Sequence, residues 1–459
     1  MRAAQLGFWW QTLGAPAPAR EPLGGPLEVD VAIVGAGYTG LWSAYYLKRA
    51  APHLRIAVLE RHVAGYGASG RNGGWVSGFF AGAARRYEQR SGSRALDALQ
   101  REMFATVEEV GAFLREHDVQ ADYVKSGQLG VAIGRAQAAR QRELLRAARG
   151  RGIGEEDLRA LSARELSDRV HVQGACAATF TPHVARVHPA RLVRGLADAV
   201  ASLGVQIYEH TPVLLIGPHL AETPAGAVQA RWVVRATEGY TASLRGQRRA
   251  LAPVNSSMIV TEPLAAQAWS QIGWSGQELL ADEAHVYVYL QRTADGRIAI
   301  GGRGVPYRFG SRTGGGGGTP ARTVTALHAK LVEMFPPARE LELAHAWSGV
   351  LGVARDWCVS VGADRVRGLA WAGGYVGEGV AASNLAARTL RDLLLGQDSA
   401  LTRMPWVAAR PPRNWEPEPL RWAAIRGTYA LYRLADRGER LTGRPSRGAA
   451  LLDALSGRS

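Results

Sequence analysis

The run Gly35-Ala36-Gly37-Tyr38-Thr39-Gly40 is the first group of residues whose types and spacing could do chemistry. The first glycine permits a tight turn, the second lets backbone approach a pyrophosphate, and the third lets a helix pack closely on a strand. VDVAIVG precedes the turn and YTGLWSAYYLKRA follows it, so an anion would meet free amides at a helix N-terminus. Glu60 stands twenty residues after Gly40 and closes LRIAVLE. A carboxylate there accepts hydrogen bonds from both hydroxyls of an adenosine ribose and repels a 2′-phosphate, which disfavours NADP. A glycine turn between strand and helix, with the acid at this distance, is a dinucleotide-binding fingerprint in its proper context.

NAD and FAD share that fingerprint. A second glycine-rich loop, Gly67-Ala68-Ser69-Gly70-Arg71-Asn72-Gly73-Gly74, lies close enough to wrap the far end of a longer cofactor. With these two loops stand VHPARLVRGLA, WVVRATEGYT, RTADGRIAIGGRG and AGGYVGEGV. On these stretches, roughly residues 28–400, the chain resembles the D-amino-acid-oxidase-like family of FAD-dependent oxidoreductases. The likeness is to the glycine and sarcosine oxidase type, nearest to γ-glutamylputrescine-oxidoreductase-like proteins.

The resemblance implies a mixed α/β (α+β) fold: a Rossmann-like FAD-binding domain assembled from discontinuous segments, with an inserted β-rich substrate domain. The expected division is 28–85, 170–245 and 345–400 for FAD, 86–169 and 246–344 for substrate, and 401–459 as a C-terminal helical extension. Carried over by position, Gly35, Gly37, Tyr38, Thr39, Gly40, Glu60 and Arg61 hold the ADP half. Gly67, Ala68 and Ser69 to Gly74 line the pyrophosphate and isoalloxazine. Val213 touches the adenine, and Ala236 and Thr237 border the pyrophosphate. Gly373, Gly374, Tyr375, Gly377, Glu378, Gly379 and Val380 place backbone amides near the flavin pyrimidine edge, where reduction builds negative charge. FAD is expected to be non-covalent: Cys358 falls beyond the position of an attached cysteine, and GASGRNGG has no histidine.

The implied activity is oxidation of a small amine or amino acid to an imine, with a hydride leaving the carbon for flavin N5 and oxygen or another acceptor taking the electrons onward. No acid–base triad is required. Expected substrate-pocket walls are Met258, Tyr287, Tyr289, Arg303, Trp347 and Tyr375, with Trp347 also readable as core. Arg303 could clamp a carboxylate in bidentate fashion. Glu378 could steer an ammonium group, or sit at a helix start where the dipole favours a carboxylate. Oxidation of a hydroxy acid or other C–OH substrate is one alternative, and a non-catalytic nucleotide-binding protein is another.

The elements that must position these residues are legible in part. Helical stretches are expected within 85–170 and from Pro189, and strands at VQIYEH, RWVVRAT and through 250–305, where TADGR makes a hairpin turn. Residues 368–396 read as strand, glycine turn and helix. Ser311–Thr319 reads as a mobile loop and 11–29 as an irregular lead-in. A basic helix near 418–440 packs on the body or touches a membrane surface. The 459 residues are 47% hydrophobic and 21% charged, ordinary globular values. The net charge of +15 arises from scattered arginine, since three of the 55 basic residues are lysine, and implies no nucleic-acid partner. No integral membrane segment, convincing signal peptide or metal-ligand pattern is visible, and the expected compartment is the cytoplasm.

Overall fold

The computed structural model describes residues 6–14, 20–304, 306–313 and 317–456. In spatial order its first sheet runs Ser360–Asp364, Leu369–Gly373, Gly226–Arg235, Leu27–Val34, Ile56–Leu59 and Gln206–Tyr208. Leu215–Gly217 and Leu220–Thr223 form an antiparallel arm on Gly226–Arg235. Leu27–Val34 pairs in parallel with Ile56–Leu59 and Gly226–Arg235. From Val31 to Val34 it is covered on both faces, hence the unbroken apolar run there. Val31 and Ile33 meet the helices Tyr38–Ala50, Ser93–Glu116, Pro189–Ser202 and Gly379–Leu395, while Ala32 and Val34 meet the arm. Helix and strand approach most closely at Gly40, where a Cβ would stand 1.9 Å from the Gly35 carbonyl oxygen.

The second sheet runs Leu343–Val353, Ala252–Thr261, Ile298–Gly302, Val288–Arg292, Leu279–Asp282, Gln128–Ile133, Ala175–Thr181 and Arg159–Leu161. Its pairs are antiparallel except Leu279–Asp282 with Gln128–Ile133. Helix Ala321–Met334 closes one face through Leu327 and Leu331, which join Ile259, Leu290 and Ile300 in a core. The TADGR turn closes a hairpin, with Thr293 and Arg297 bonded through their backbones at 3.0 Å and Gly296 at φ 77°.

Three placements differ from the expected division. Helix Ser93–Glu116, assigned to the substrate part, buries Phe113 against Trp42 of the nucleotide-side core. Strands Ala175–Thr181 and Leu343–Val353, assigned to the FAD part, pair in the second sheet. A short helix, Phe8–Gln11, packs on Trp347 and ends where the lead-in begins, and residues 15–19 of the lead-in lie outside the described residues. Of the Ser311–Thr319 loop, 314–316 also lie outside them. Helix Leu420–Thr442 packs on the body, burying Ile425, Tyr429 and Tyr432, and Arg447–Ser456 follows it. Among the described residues no helix is long and apolar enough to cross a membrane.

Candidate active site

Where Leu27–Val34 ends, a cleft of about 1080 Å³, its open mouth included, lies between the two glycine loops. It is lined by Gly35, Gly37, Tyr38, Thr39, Glu60, Arg61, Gly67, Ala68, Ser69 and Asn72. Val213, Ala236, Thr237, Tyr375, Gly377, Gly379 and Val380 complete the expected residues on its wall. Glu60 stands just past the end of Ile56–Leu59. Its two oxygens accept from the amides of Ala36 and His62, each at 2.9 Å. Burial raises its pKa. Ser69 ties the loops together, its hydroxyl accepting from the Tyr38 amide at 2.8 Å. A Cβ on Gly35 would meet the Ala236 carbonyl oxygen at 2.6 Å, and one on Gly37 the Ser69 hydroxyl at 2.9 Å.

Several expected cofactor residues stand elsewhere. Gly40, Gly70 and Gly74 are packing positions: a Cβ on Gly70 would strike the Gly65 carbonyl and the Trp10 indole, and one on Gly74 the Gln291 side chain. The amides of Gly374 and Tyr375, expected at the flavin edge, donate instead to the Glu238 carboxylate at 3.4 and 3.0 Å. Gly373 sits behind them at the end of its strand. Burial pushes Glu238 up to about 7, against those amides and Arg235. Glu238 lines the cleft with Tyr66, Tyr240 and His62, none of which the sequence reading placed there. Tyr66 directly precedes the second glycine loop and Tyr240 lies within WVVRATEGYT, which was the available signal.

A second cavity, about 1320 Å³ with its mouth, shares Ala68, Asn72, Leu351, Gly377 and Val380 with the cleft. Of the six expected wall residues, Met258, Tyr287, Tyr289 and Arg303 line it. Trp347 does not: it is buried on Phe8 and Trp9, and its indole N–H donates to the Arg71 carbonyl at 2.8 Å. Tyr375 faces the cleft instead, its hydroxyl accepting from Thr39 at 3.1 Å. Arg71 and Gly73 of the second loop reach this cavity rather than the cleft. So does Glu378, whose side chain makes no cap hydrogen bond at its helix start. It faces Ser77 and Arg303, and burial raises its pKa. Asp282 and Glu283, which sequence reasoning missed, add two more carboxylates whose pKa values burial raises. Trp75 and Tyr289 meet edge to face at 6.1 Å, and Tyr287 lies 6.4 Å from Tyr289. An ammonium group fits such rings and acids.

Residues 30–393 match the family profile described as FAD dependent oxidoreductase. The chain belongs to this family. It is 28% identical to the γ-glutamylputrescine oxidoreductase of Escherichia coli K12, over 81% of the chain and 84% of that protein. It is 27% identical to the glycine oxidase of Geobacillus kaustophilus, over 83% of the chain and 97% of that protein. The probable oxidoreductase OrdL of Rhizobium meliloti strain 1021 is also 27% identical, over 86% and 89%. The crystal structure of the G. kaustophilus glycine oxidase superposes with a TM-score of 0.68, covering 84% of this chain and 99% of that one, at 23% identity. This likeness speaks to the fold alone.

The residues of this FAD-dependent oxidoreductase fit the cofactor. Glycines bring backbone within reach along the cleft, and Glu60 offers a ribose its remaining lone pairs. The Arg71 guanidinium lies over the Tyr66 ring at 4.5 Å, with Nε and Nη2 buried and unpartnered. Such orphaned donors suit an electron-rich ring edge or an anion.

Proposed function

We propose that this enzyme oxidises a small amine or amino acid to the corresponding imine. The observation that carries the reading is Glu378, a half-buried carboxylate set beside Tyr287, Tyr289 and Trp75 where the second cavity joins the cleft. That combination binds an ammonium group and exchanges its proton, while Arg303, beside Glu378 on the same wall, suits a substrate carboxylate. The names of the relatives, an oxidase of glycine and an oxidoreductase of γ-glutamylputrescine, agree with this class.

Bound FAD supplies the chemistry of a two-electron acceptor, with oxygen or another acceptor taking the electrons onward. Glu60 and the amides about Gly37 bind its ADP half in this reading, and Ser69, Arg71, Asn72 and Gly377 to Val380 border its ring system. The aromatic wall excludes water from the reacting carbon and orients it. Glu378 accepts the proton that the amine sheds, because departure of hydride needs the nitrogen lone pair. Attachment is non-covalent: Cys358 is buried against Tyr87 away from the cleft, its thiol pushed up to about 11 by burial. We infer a cytoplasmic enzyme, in keeping with its two free thiols.

Anaerobic rapid mixing tests the reading. Primary or secondary amines should bleach the flavin band faster than any hydroxy acid, with a rate that rises with pH as the bound amine loses its proton. Bleaching by hydroxy acids alone would overturn the amine assignment and leave fold and cofactor standing.

A further inference from the structure

Beyond the substrate cavity, and sharing Asp282, Ala284, Tyr287 and Arg303 with it, lies an outer cleft of about 1290 Å³, its open mouth included. Its walls are helix Ala321–Met334 and helix Leu420–Thr442, and the latter falls outside the stretch that matches the family. Its lining is cationic: Arg322, Arg426, Arg433, Arg437 and Arg440, with Lys330 at the inner end. The acids in it are already engaged. Asp282 faces Lys330 at 3.3 Å, and Asp436 accepts from the backbone amides of His285 and Val286 at 2.8 and 3.1 Å.

Arg440 leans towards Glu333 at 3.5 Å, and Arg433 donates to the Gly304 carbonyl at 2.8 Å. Among the described residues, Arg322, Arg426 and Arg437 make no ion pair. Burial together with the nearby charges of Arg426, Arg322 and Arg437 lowers the Arg433 pKa. Arg303, Arg322, Lys330, Arg426, Arg433, Arg437 and Arg440 outnumber Asp282 and Asp436 in this lining, and an excess of positive charge crowded into a concave site attracts an anion. Guanidinium forks match a carboxylate in particular.

We propose that the substrate is an amine carrying a carboxylate at the end remote from the reacting nitrogen, and that Arg322 and Arg437 bind that tail in the outer cleft. The proposal rests on the amine reading of the inner cavity. The two sites divide one molecule by charge. Its ammonium end meets Glu378 and the aromatic rings, and its anionic end meets Arg322 of helix Ala321–Met334 and Arg437 of helix Leu420–Thr442. Arg303, on the wall common to both cavities, faces the middle of the path.

The test compares 6-aminohexanoate with hexylamine and 1,6-diaminohexane in anaerobic reduction of the holoenzyme. The carboxylate-tailed amine should show a Kd roughly fivefold to tenfold below that of hexylamine, with the diamine weakest. Added salt should shrink that preference. The exposed double variant Arg322→Ala, Arg437→Ala should bring the two Kd values together. Calorimetric titration of glutarate, a dicarboxylate without nitrogen, provides a second arm: it should bind the native holoenzyme and lose affinity in the double variant. Equal Kd values for 6-aminohexanoate and hexylamine in the native enzyme, or a preference that survives in the double variant, would overturn the proposal. If no amine reduces the flavin while glutarate binding still depends on the two arginines, the amine reading falls and the anion site stands. If amines reduce the flavin but neither tail charge nor glutarate responds to the variant, the reverse holds.

Discussion

Glu60 is held in place by the protein before any ligand arrives. The amides of Ala36 and His62 use one lone pair on each oxygen, which fixes the carboxylate and leaves the others for ribose hydroxyls. Glu60→Ala should therefore weaken FAD binding by roughly 1.5–3 kcal/mol, the scale of hydrogen bonds to a charged group. Titration of apoprotein measures it, and an unchanged affinity would mean the ribose binds elsewhere. Glu238 makes a different prediction. Its pKa in the fold, about 7, exceeds the ordinary glutamate value of 4.5. The folded chain thus holds this proton more tightly than the unfolded one, and stability falls as pH rises between those values, then levels off. A bound pyrophosphate acts in the same direction. Glu238→Gln abolishes this titration, so its melting temperature relative to native protein should be higher at pH 8 than at pH 5. A difference independent of pH would show that Glu238 is ionised throughout.

At the scale of elements, the second glycine loop is shaped by pieces distant in sequence. The Trp9 indole donates to the Asn72 carbonyl and the Trp347 indole to the Arg71 carbonyl, each at 2.8 Å. Asn72 in turn accepts from the Gly74 amide at 2.8 Å. Trp347→Phe keeps most of the packing and removes one buried donor, so a destabilisation of about 1–3 kcal/mol is expected, with weaker FAD binding as the loop relaxes. Chemical denaturation and FAD titration together check this, and a loss of stability with FAD affinity intact would make Trp347 core alone. None of this support was legible in the sequence. The strand–turn–helix–strand from Leu27 to Leu59 was, because its apolar periodicity and glycine spacing are local. Leu343–Val353 was missed because AHAWSGVLGV has weak strand propensity; its pairing along Ala252–Thr261 makes it a strand. Phe8–Gln11 is too short to be a helix by itself and is held by Trp347. Glu378 was ambiguous because helix start and cavity wall are the same position in sequence. Glu283 carried no signal, because its neighbour Gln141 is remote in the chain.

The whole molecule is assembled around the cleft. Its walls come from the first strand and helix, the second loop, the end of Gly226–Arg235, the edge strand of the second sheet at Val350 and Leu351, and the start of Gly379–Leu395. A ligand lying there touches both sheets at once, including residues far apart in sequence. In the unfolded chain these groups are scattered and hold nothing, so FAD binds the native state alone and stabilises it by mass action. At a hundredfold excess over Kd that amounts to about 2.7 kcal/mol. The melting temperature of apoprotein should therefore climb with the logarithm of FAD concentration, by on the order of a few degrees at that excess. AMP, which fills only the ADP end near Glu60 and Val213, should raise it less, because it leaves the second loop and the Gly377–Val380 turn unbridged. Thermal scans with each ligand decide the matter. Equal shifts from FAD and AMP would mean that the flavin half adds nothing to the union of the two sheets, and no shift from either would mean that the cleft is not where the cofactor binds.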